Sequence, residues 1–306
     1  MSKVETVKGP VDINKLGIID YHEHIYTEIP TWLAQLDSDL GLDKPDNSVA
    51  ELTDWHQAGG KTIIDMTAAD FGRNIYVIQK IADRLPEINI LVTTGYNRPW
   101  YMGRWVYELS EKDMIKQIVK EINKGIQGSG VKAAVIKAGT EYNIWDKAGK
   151  KLLRVASKGF QETGRPIITH TTAGTLGVQQ VDYLSELGVP ANKVCLSHMD
   201  RNPDFQLHSK LAETGVYLGY DCFGKIKYGP EEIRLDLIKK MVDAGFGTQI
   251  LVGNDLARPS YLRHYRGGIG LDYLLRTIIP EMREQGISQN VLNNLLINNP
   301  RRFFEG

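Results

Sequence analysis

Cysteine is nearly missing from this chain. Its 306 residues include two, Cys195 and Cys222, too few for a disulfide scaffold or a cysteine-rich zinc module. Both lie in apolar runs, where a free thiol behaves as a small buried hydrophobe. Net charge is missing as well, since 37 Lys and Arg balance 37 Asp and Glu. A neutral chain has no overall attraction to nucleic acid or to an anionic membrane, so neither is expected as a partner. An anionic ligand would have to be met by a local cluster. No stretch approaches the ~20 apolar residues of a transmembrane helix, and residues 1–10 carry no apolar core of a secretory signal. The expectation is a cytoplasmic protein. Low-complexity linkers, charge blocks and breaks in composition are also lacking, so residues 1–306 are read as one domain. With 42% hydrophobic and 24% charged residues, the composition excludes disorder as a description of the whole.

What is present is alternation. Eight short β-branched runs recur along the chain: Leu16–Tyr21, Lys61–Met66, Ile88–Thr94, Val131–Lys137, Pro166–His170, Lys193–His198, Gly215–Tyr220 and Gln249–Asp255. Between them lie segments with helical spacing, such as Ser110–Ile126, Lys150–Thr163, Leu176–Leu187, Pro203–Thr214 and Pro230–Ala244. Gly164, Gly188 and Gly215 stand where such helices stop. Strands alternating with helices imply parallel βαβ units. Eight of them fit a closed (β/α)8 barrel of the TIM type, which takes about 250 residues or more. An open dinucleotide-binding sheet would place Gly-x-Gly-x-x-Gly after the first strand, whereas here the first strand runs into His22-Glu23-His24. A long helix near Gly270–Gln285 and a last one at Ser288–Phe304 are expected to cap the outside.

Metal-capable residues collect at the ends of these strands, the catalytic face of such a barrel. His22 and His24 are two apart, and strand residues two apart point the same way, so both imidazoles reach one ion. Lys137, His170, His198 and Asp255 close strands four, five, six and eight. Singly, each has an ordinary explanation: a solvated strand end, a satisfied core histidine, a helix cap. Together, four histidines, a carboxylate and a lysine at one rim describe a metal site in the barrel mouth.

The ordered set His22-x-His24, Lys137, His170, His198 and Asp255 resembles the phosphotriesterase-like branch of the amidohydrolase superfamily. Asp20–His24 (DYHEH), Ile168–Ala173 (ITHTTA), Gly253–Asp255 (GND) and Asn299–Phe303 (NPRRF) support the likeness, which spans essentially the whole chain. The resemblance implies two divalent metal ions, zinc first and manganese or cobalt as alternatives. It also implies carbon dioxide bound as a carbamate on Lys137 that bridges them. His22, His24 and Asp255 would hold the more buried ion, and His170 and His198 the more exposed one. Asp255 would take the proton of the attacking hydroxide and pass it to the leaving group, and Tyr96 would stand over that hydroxide. The lysine chemistry has a physical basis: an ammonium has no acceptor, and desolvation with nearby cations favours the neutral amine that adds carbon dioxide.

The metals do not choose between a lactone, an ester, an amide and a phosphotriester; the loops do. After strand seven come Lys225, Lys227 and Tyr228, and after strand eight Arg258, Tyr261 and Arg266. Loops seven and eight are the usual phosphate site of such barrels, and Arg, Lys and Tyr are phosphate donors. The resemblance points the same way, since some members of this branch hydrolyse phosphorylated sugar lactones with such residues. The aromatic stretch Arg98–Tyr107 is read as a pocket lining or a subunit contact. The leading expectation is a metal-dependent lactonase acting on a small anionic substrate, a phosphorylated sugar lactone, and working as a homodimer. The alternatives are a phosphotriesterase, an acyl-homoserine lactonase or amidohydrolase, and a non-enzymatic barrel that binds an anionic sugar.

Overall fold

The computed structural model describes residues 2–305. The chain opens with an antiparallel hairpin, β1 (Lys3–Thr6) and β2 (Gly9–Asp12), that the sequence reading did not anticipate. Eight parallel strands follow: β3 (Ile19–Glu23), β4 (Thr62–Asp65), β5 (Asn89–Gly95), β6 (Val135–Thr140), β7 (Ile167–Thr171), β8 (Val194–Ser197), β9 (Tyr217–Tyr220) and β10 (Ile250–Val252). They pair in sequence order, each with the next, as a βαβ chain requires. Helices cross between them, among them Pro45–Gln57, Ile75–Asp83, Glu111–Asn123, Lys147–Thr163, Gly177–Glu186, Phe205–Glu213 and Glu231–Asp243. This is the (β/α)8 barrel.

The seam between β10 and β3 is closed at its upper end. Asp255 N donates to His22 O at 2.9 Å, and the buried Glu23 carboxylate accepts Leu256 N at 2.9 Å. Gly253 lies in that seam because any Cβ there would run into Asp20. The closing contacts therefore sit on His22 itself and on Glu23, between the two histidines.

Two apolar layers hold the barrel. The outer one lies between strands and helices, where Ile63, Ile90, Ile136, Ile167, Leu196 and Leu218 meet residues such as Leu52, Ile78, Ile118 and Leu152. The inner one is the floor. There Val135, Ile168, Cys195, Tyr217 and Leu251 meet Val4 of the hairpin, with Ile13, Leu16 and Phe303 of the last helix, Asn299–Phe304. Val4 thus gives the hairpin a role as a plug.

Several expected elements differ in detail. The fourth strand begins at Val135, not Val131, and runs on to Thr140. Ahead of it, Ala133 N donates to Glu121 O of the preceding helix. Lys137 therefore lies inside β6 and not at its end. The long helix expected near Gly270–Gln285 contains a widened turn, Leu274–Ile278, before Ile279–Glu284. The same occurs at Asn294–Asn298 before Asn299–Phe304. Pro280 and Pro300 follow these turns; a proline lacks the N–H and crowds the carbonyl four residues back, which a widened turn relieves.

Candidate metal centre

The pleat of the strands separates floor from mouth. Side chains two apart share a face, so each floor residue is followed two positions on by one that faces the mouth. Val135 leads to Lys137, Ile168 to His170, Cys195 to Ser197, Leu251 through Gly253 to Asp255, and Tyr217 through Gly219 to Asp221. Gly219 leaves the room that the Tyr21 hydroxyl fills; a Cβ there would collide with it. In β3 a register shift between Asp20 and Glu23 breaks the alternation. Tyr21 stays in the floor while His22 and His24 reach the mouth. His198 and Asp255 adopt left-handed backbone conformations, with φ of 63° and 51°. For residues other than glycine this costs ~1 kcal/mol or more, and such strain collects at functional sites.

The six residues singled out from the sequence converge. His24 Nε2 lies 3.3 Å and His22 Nε2 3.7 Å from Asp255 Oδ1. Lys137 Nζ is 3.4 Å from His22 Nε2, and His198 Nε2 is 3.0 Å from His170 Nδ1. Ligand atoms of His22, His24 and Asp255 all fall within 4.8 Å of one another. Imidazole nitrogens and carboxylate oxygens at such spacing are the donor chemistry of divalent first-row ions, so the residues fit a divalent-metal site.

Partners behind the imidazoles set which nitrogen faces inward. His24 Nδ1 meets Thr67 Oγ1 at 2.9 Å. His22 Nδ1 meets Asp221 Oδ2 at 3.0 Å and Ser197 Oγ at 3.1 Å, and His198 Nδ1 meets Asp221 Oδ1 at 2.7 Å. Tyr21 Oη also donates to Asp221. A carboxylate behind an imidazole fixes the tautomer with its free Nε2 toward the site. Sequence reasoning missed Asp221. The signal was available: it is the first residue past β9, the seventh barrel strand, whose end alone among the last five was not searched.

Electrostatics favour ligand forms. Burial, helped by the Lys137 charge, lowers the His22 pKa to about 3, and burial beside His198 and Arg98 holds His170 well below the usual range. Both imidazoles are therefore neutral. Burial lowers the Lys137 ammonium to about 8, against the pull of Asp255 and Asp221. At Asp255 burial works toward the acid form. The Lys225 ammonium, with His24, His22 and His198, overcomes it and holds the carboxyl well below the usual range. Lys225 Nζ sits 2.9 Å from Asp255 Oδ2 and 2.6 Å from its carbonyl. Asp255 thus presents one oxygen to the imidazoles and one to an ammonium.

The loops build a cavity over this cluster. Its lining includes Leu40, Phe71, Arg98 and Tyr101 together with Arg201, Lys225, Tyr228, Arg258 and Tyr261. The Arg201 guanidinium stacks 4.0 Å from the Tyr228 ring, and Lys227 lies over Tyr228 and Tyr261 at 4.8 and 5.2 Å. Arg258 faces the cavity while paired with Asp37 at 2.7 Å. Arg266 is turned to Asp39 at 3.4 Å and lies outside the lining. Arg201, next to Asp200 in the loop after His198, was not singled out from the sequence, where attention stayed on loops seven and eight.

Tyr96 is not brought to the cavity. Its hydroxyl donates to Gln117 Oε1 at 3.0 Å, on the helical side of the barrel. The turn at Gly95, with φ of 89°, ends β5 and sends Tyr96 outward; Tyr101 of the aromatic stretch lines the mouth instead.

Comparison with known proteins matches the chain over nearly its whole length. The model of the phosphotriesterase family matches residues 2–304. A phospho-furanose lactonase from Mycoplasmopsis synoviae is 30% identical over 318 aligned residues, covering 97% of this chain and 90% of that protein. The crystal structure of a lactonase from Listeria monocytogenes superposes with a TM-score of 0.95 at 31% identity, covering 99% of each chain. The phosphotriesterase homology protein from Escherichia coli, solved with phosphate in its active site, gives a TM-score of 0.90 at 30% identity. That match covers 95% of this chain and 99% of the other.

Proposed function

The chain belongs to the phosphotriesterase family, and on that premise we propose that it is a metal-dependent hydrolase that opens the ring of a phosphorylated sugar lactone. The observation that carries the reading is the juxtaposition of two chemistries in one cavity. Neutral imidazoles and an ionised carboxylate lie in it, and Arg201, Tyr228, Arg258 and Tyr261 line the same cavity. In a chain of zero net charge, cations interleaved with tyrosines around one cavity mark a subsite for a compact anion. The names of the M. synoviae and L. monocytogenes relatives support the lactone, and the phosphate in the E. coli structure supports the anion.

Two divalent cations, zinc first and manganese or cobalt as alternatives, would supply Lewis acidity toward the lactone carbonyl and an acidified water. His22, His24 and Asp255 would hold one, His170 and His198 the other. Lys137 in its neutral form would add to the carbon of carbon dioxide and lose a proton, and the carbamate would offer two oxygens where the ammonium offers none. Asp255, ionised and opposite Lys225, accepts a proton from water and delivers it to the ring oxygen as the C–O bond breaks. Arg201, Tyr228, Arg258 and Tyr261 would hold the phosphate, while Lys227, exposed and outside the lining, adds its charge from behind the Tyr228 and Tyr261 rings.

The reading is tested by assaying pairs of furanose lactones with and without a phosphate, on zinc-loaded and chelator-treated enzyme. Charge-assisted hydrogen bonds worth ~1.5–3 kcal/mol each predict a preference for the phosphorylated member of at least about tenfold, with turnover of both members abolished by chelation. Equal turnover of both members would reject the anion subsite.

A further inference from the structure

The helix Glu231–Asp243 carries a buried arginine in its first turns, Arg234, that is 1% exposed and lies outside the cavity lining. A cation near a helix N-terminus faces the positive end of the dipole, and burying it adds a desolvation penalty. A cheap residue would not be placed there. Helix side chains lean toward the N-terminus, and this one reaches back into the loop that precedes its own helix. Its Nη2 donates to Tyr228 O at 3.1 Å and its Nη1 to Gly229 O at 2.9 Å. Its Nε lies 3.3 Å from Asp200 Oδ2, and its Nη1 lies 3.5 Å from Glu231 Oε2.

Those two carboxylates continue the hold. Asp200 Oδ2 accepts Cys222 N at 2.8 Å, and Glu231 accepts Gly224 N. One guanidinium thus holds the far end of loop 222–230 by hydrogen bonds and faces, as ion pairs without a hydrogen bond, the two acids that hold its near end. It also fastens the loop after β8, where Asp200 precedes Arg201. The pair that this brings into register is the Arg201 guanidinium and the Tyr228 ring, stacked at 4.0 Å on the cavity wall.

We propose that Arg234 is a positioning residue for the anion subsite: it locks the loops after β8 and β9 together so that Arg201 and Tyr228 meet the substrate as one preformed surface. The inference rests on the phosphate reading given above. Preorganisation removes the ordering cost from binding, so loss of Arg234 weakens capture of the anionic end and leaves the bond-breaking groups in place.

The test uses the metal-loaded full-length Arg234→Met and Arg234→Lys variants, with steady-state kinetics, elemental analysis and amide hydrogen exchange. Arg234→Met is expected to raise KM for the phosphorylated lactone at least about tenfold, with kcat and metal content within about twofold of wild type. KM for the unphosphorylated lactone stays unchanged, and amides of residues 224–229 exchange faster. Arg234→Lys, which keeps the charge and part of the carbonyl contacts, is expected to recover part of the loss, and it carries the test should Arg234→Met not fold. A wild-type KM in a folded variant, or an equal fall of kcat on both lactones, overturns the inference. Absence of a phosphate preference in wild type would instead reject the phosphate reading; unchanged exchange at 224–229 would then reject the hold on the loop by itself.

Discussion

The carboxylate of Asp221 meets two imidazoles at once, His198 Nδ1 at 2.7 Å through Oδ1 and His22 Nδ1 at 3.0 Å through Oδ2. In the proposed centre these imidazoles serve different cations, so one buried acid orients both halves. Asp221→Asn keeps the shape but replaces one acceptor oxygen with a donor, so one imidazole must change tautomer or lose its partner. Loss of such an outer partner typically lowers metal affinity ~10–100-fold. Competition with a chelating dye measures this, and wild-type affinity in the variant would remove the orienting role.

Asp255 is held ionised by Lys225 at 2.9 Å and by the surrounding histidines. In the proposed role of moving a proton between water and the leaving oxygen, it would be worth ~10²–10⁴ in rate. Asp255→Asn should therefore lower kcat by orders of magnitude when assayed on protein shown to retain metal. Turnover within a factor of about three of wild type would assign the proton transfer elsewhere.

Arg201 tests the anion subsite from the wall itself. Arg201→Met removes the guanidinium stacked on Tyr228 while keeping a side chain of similar reach. KM for the phosphorylated lactone should rise ~10–100-fold, from the ~1.5–3 kcal/mol of a charged hydrogen bond. The unphosphorylated lactone should be unaffected, and a matched rise on both substrates would contradict the assignment.

Lys137 gives the pH dependence. Its folded pKa is about 8, below the ordinary 10.5, because it is buried. Between those values the unfolded chain binds the proton and the folded one does not, so the stability of the metal-free protein rises with pH across that window. Carbon dioxide adds only to the neutral amine. At fixed carbon dioxide pressure, loading of the metal-free protein should therefore speed up about tenfold per unit as pH rises toward 8, then level off. Loading followed with isotopically labelled carbon dioxide checks this, and a rate that is flat or falls over that range would contradict it.

Much of this architecture is legible in the linear pattern, because strand alternation is a local property. The β-branched runs announce the barrel strands, and His22, His24, Lys137, His170, His198 and Asp255 are found by asking what ends each run. What escaped is what depends on packing across the barrel. The β1–β2 hairpin is short and reads as a polar leader; only the floor contact of Val4 explains it. Tyr96 and Tyr101 are equally aromatic, and the turn at Gly95 decides which of them faces the mouth. Arg234 is one charge on a charged helix until its three-dimensional partners are known.

The most direct measurement is the metal content of the purified protein and of Lys137→Ala. Two divalent ions per chain are predicted for wild type, falling to one or none in the variant, with lactonase activity lost in parallel. Wild-type protein that turns over lactones without bound metal, or a variant that keeps both ions, would contradict the account.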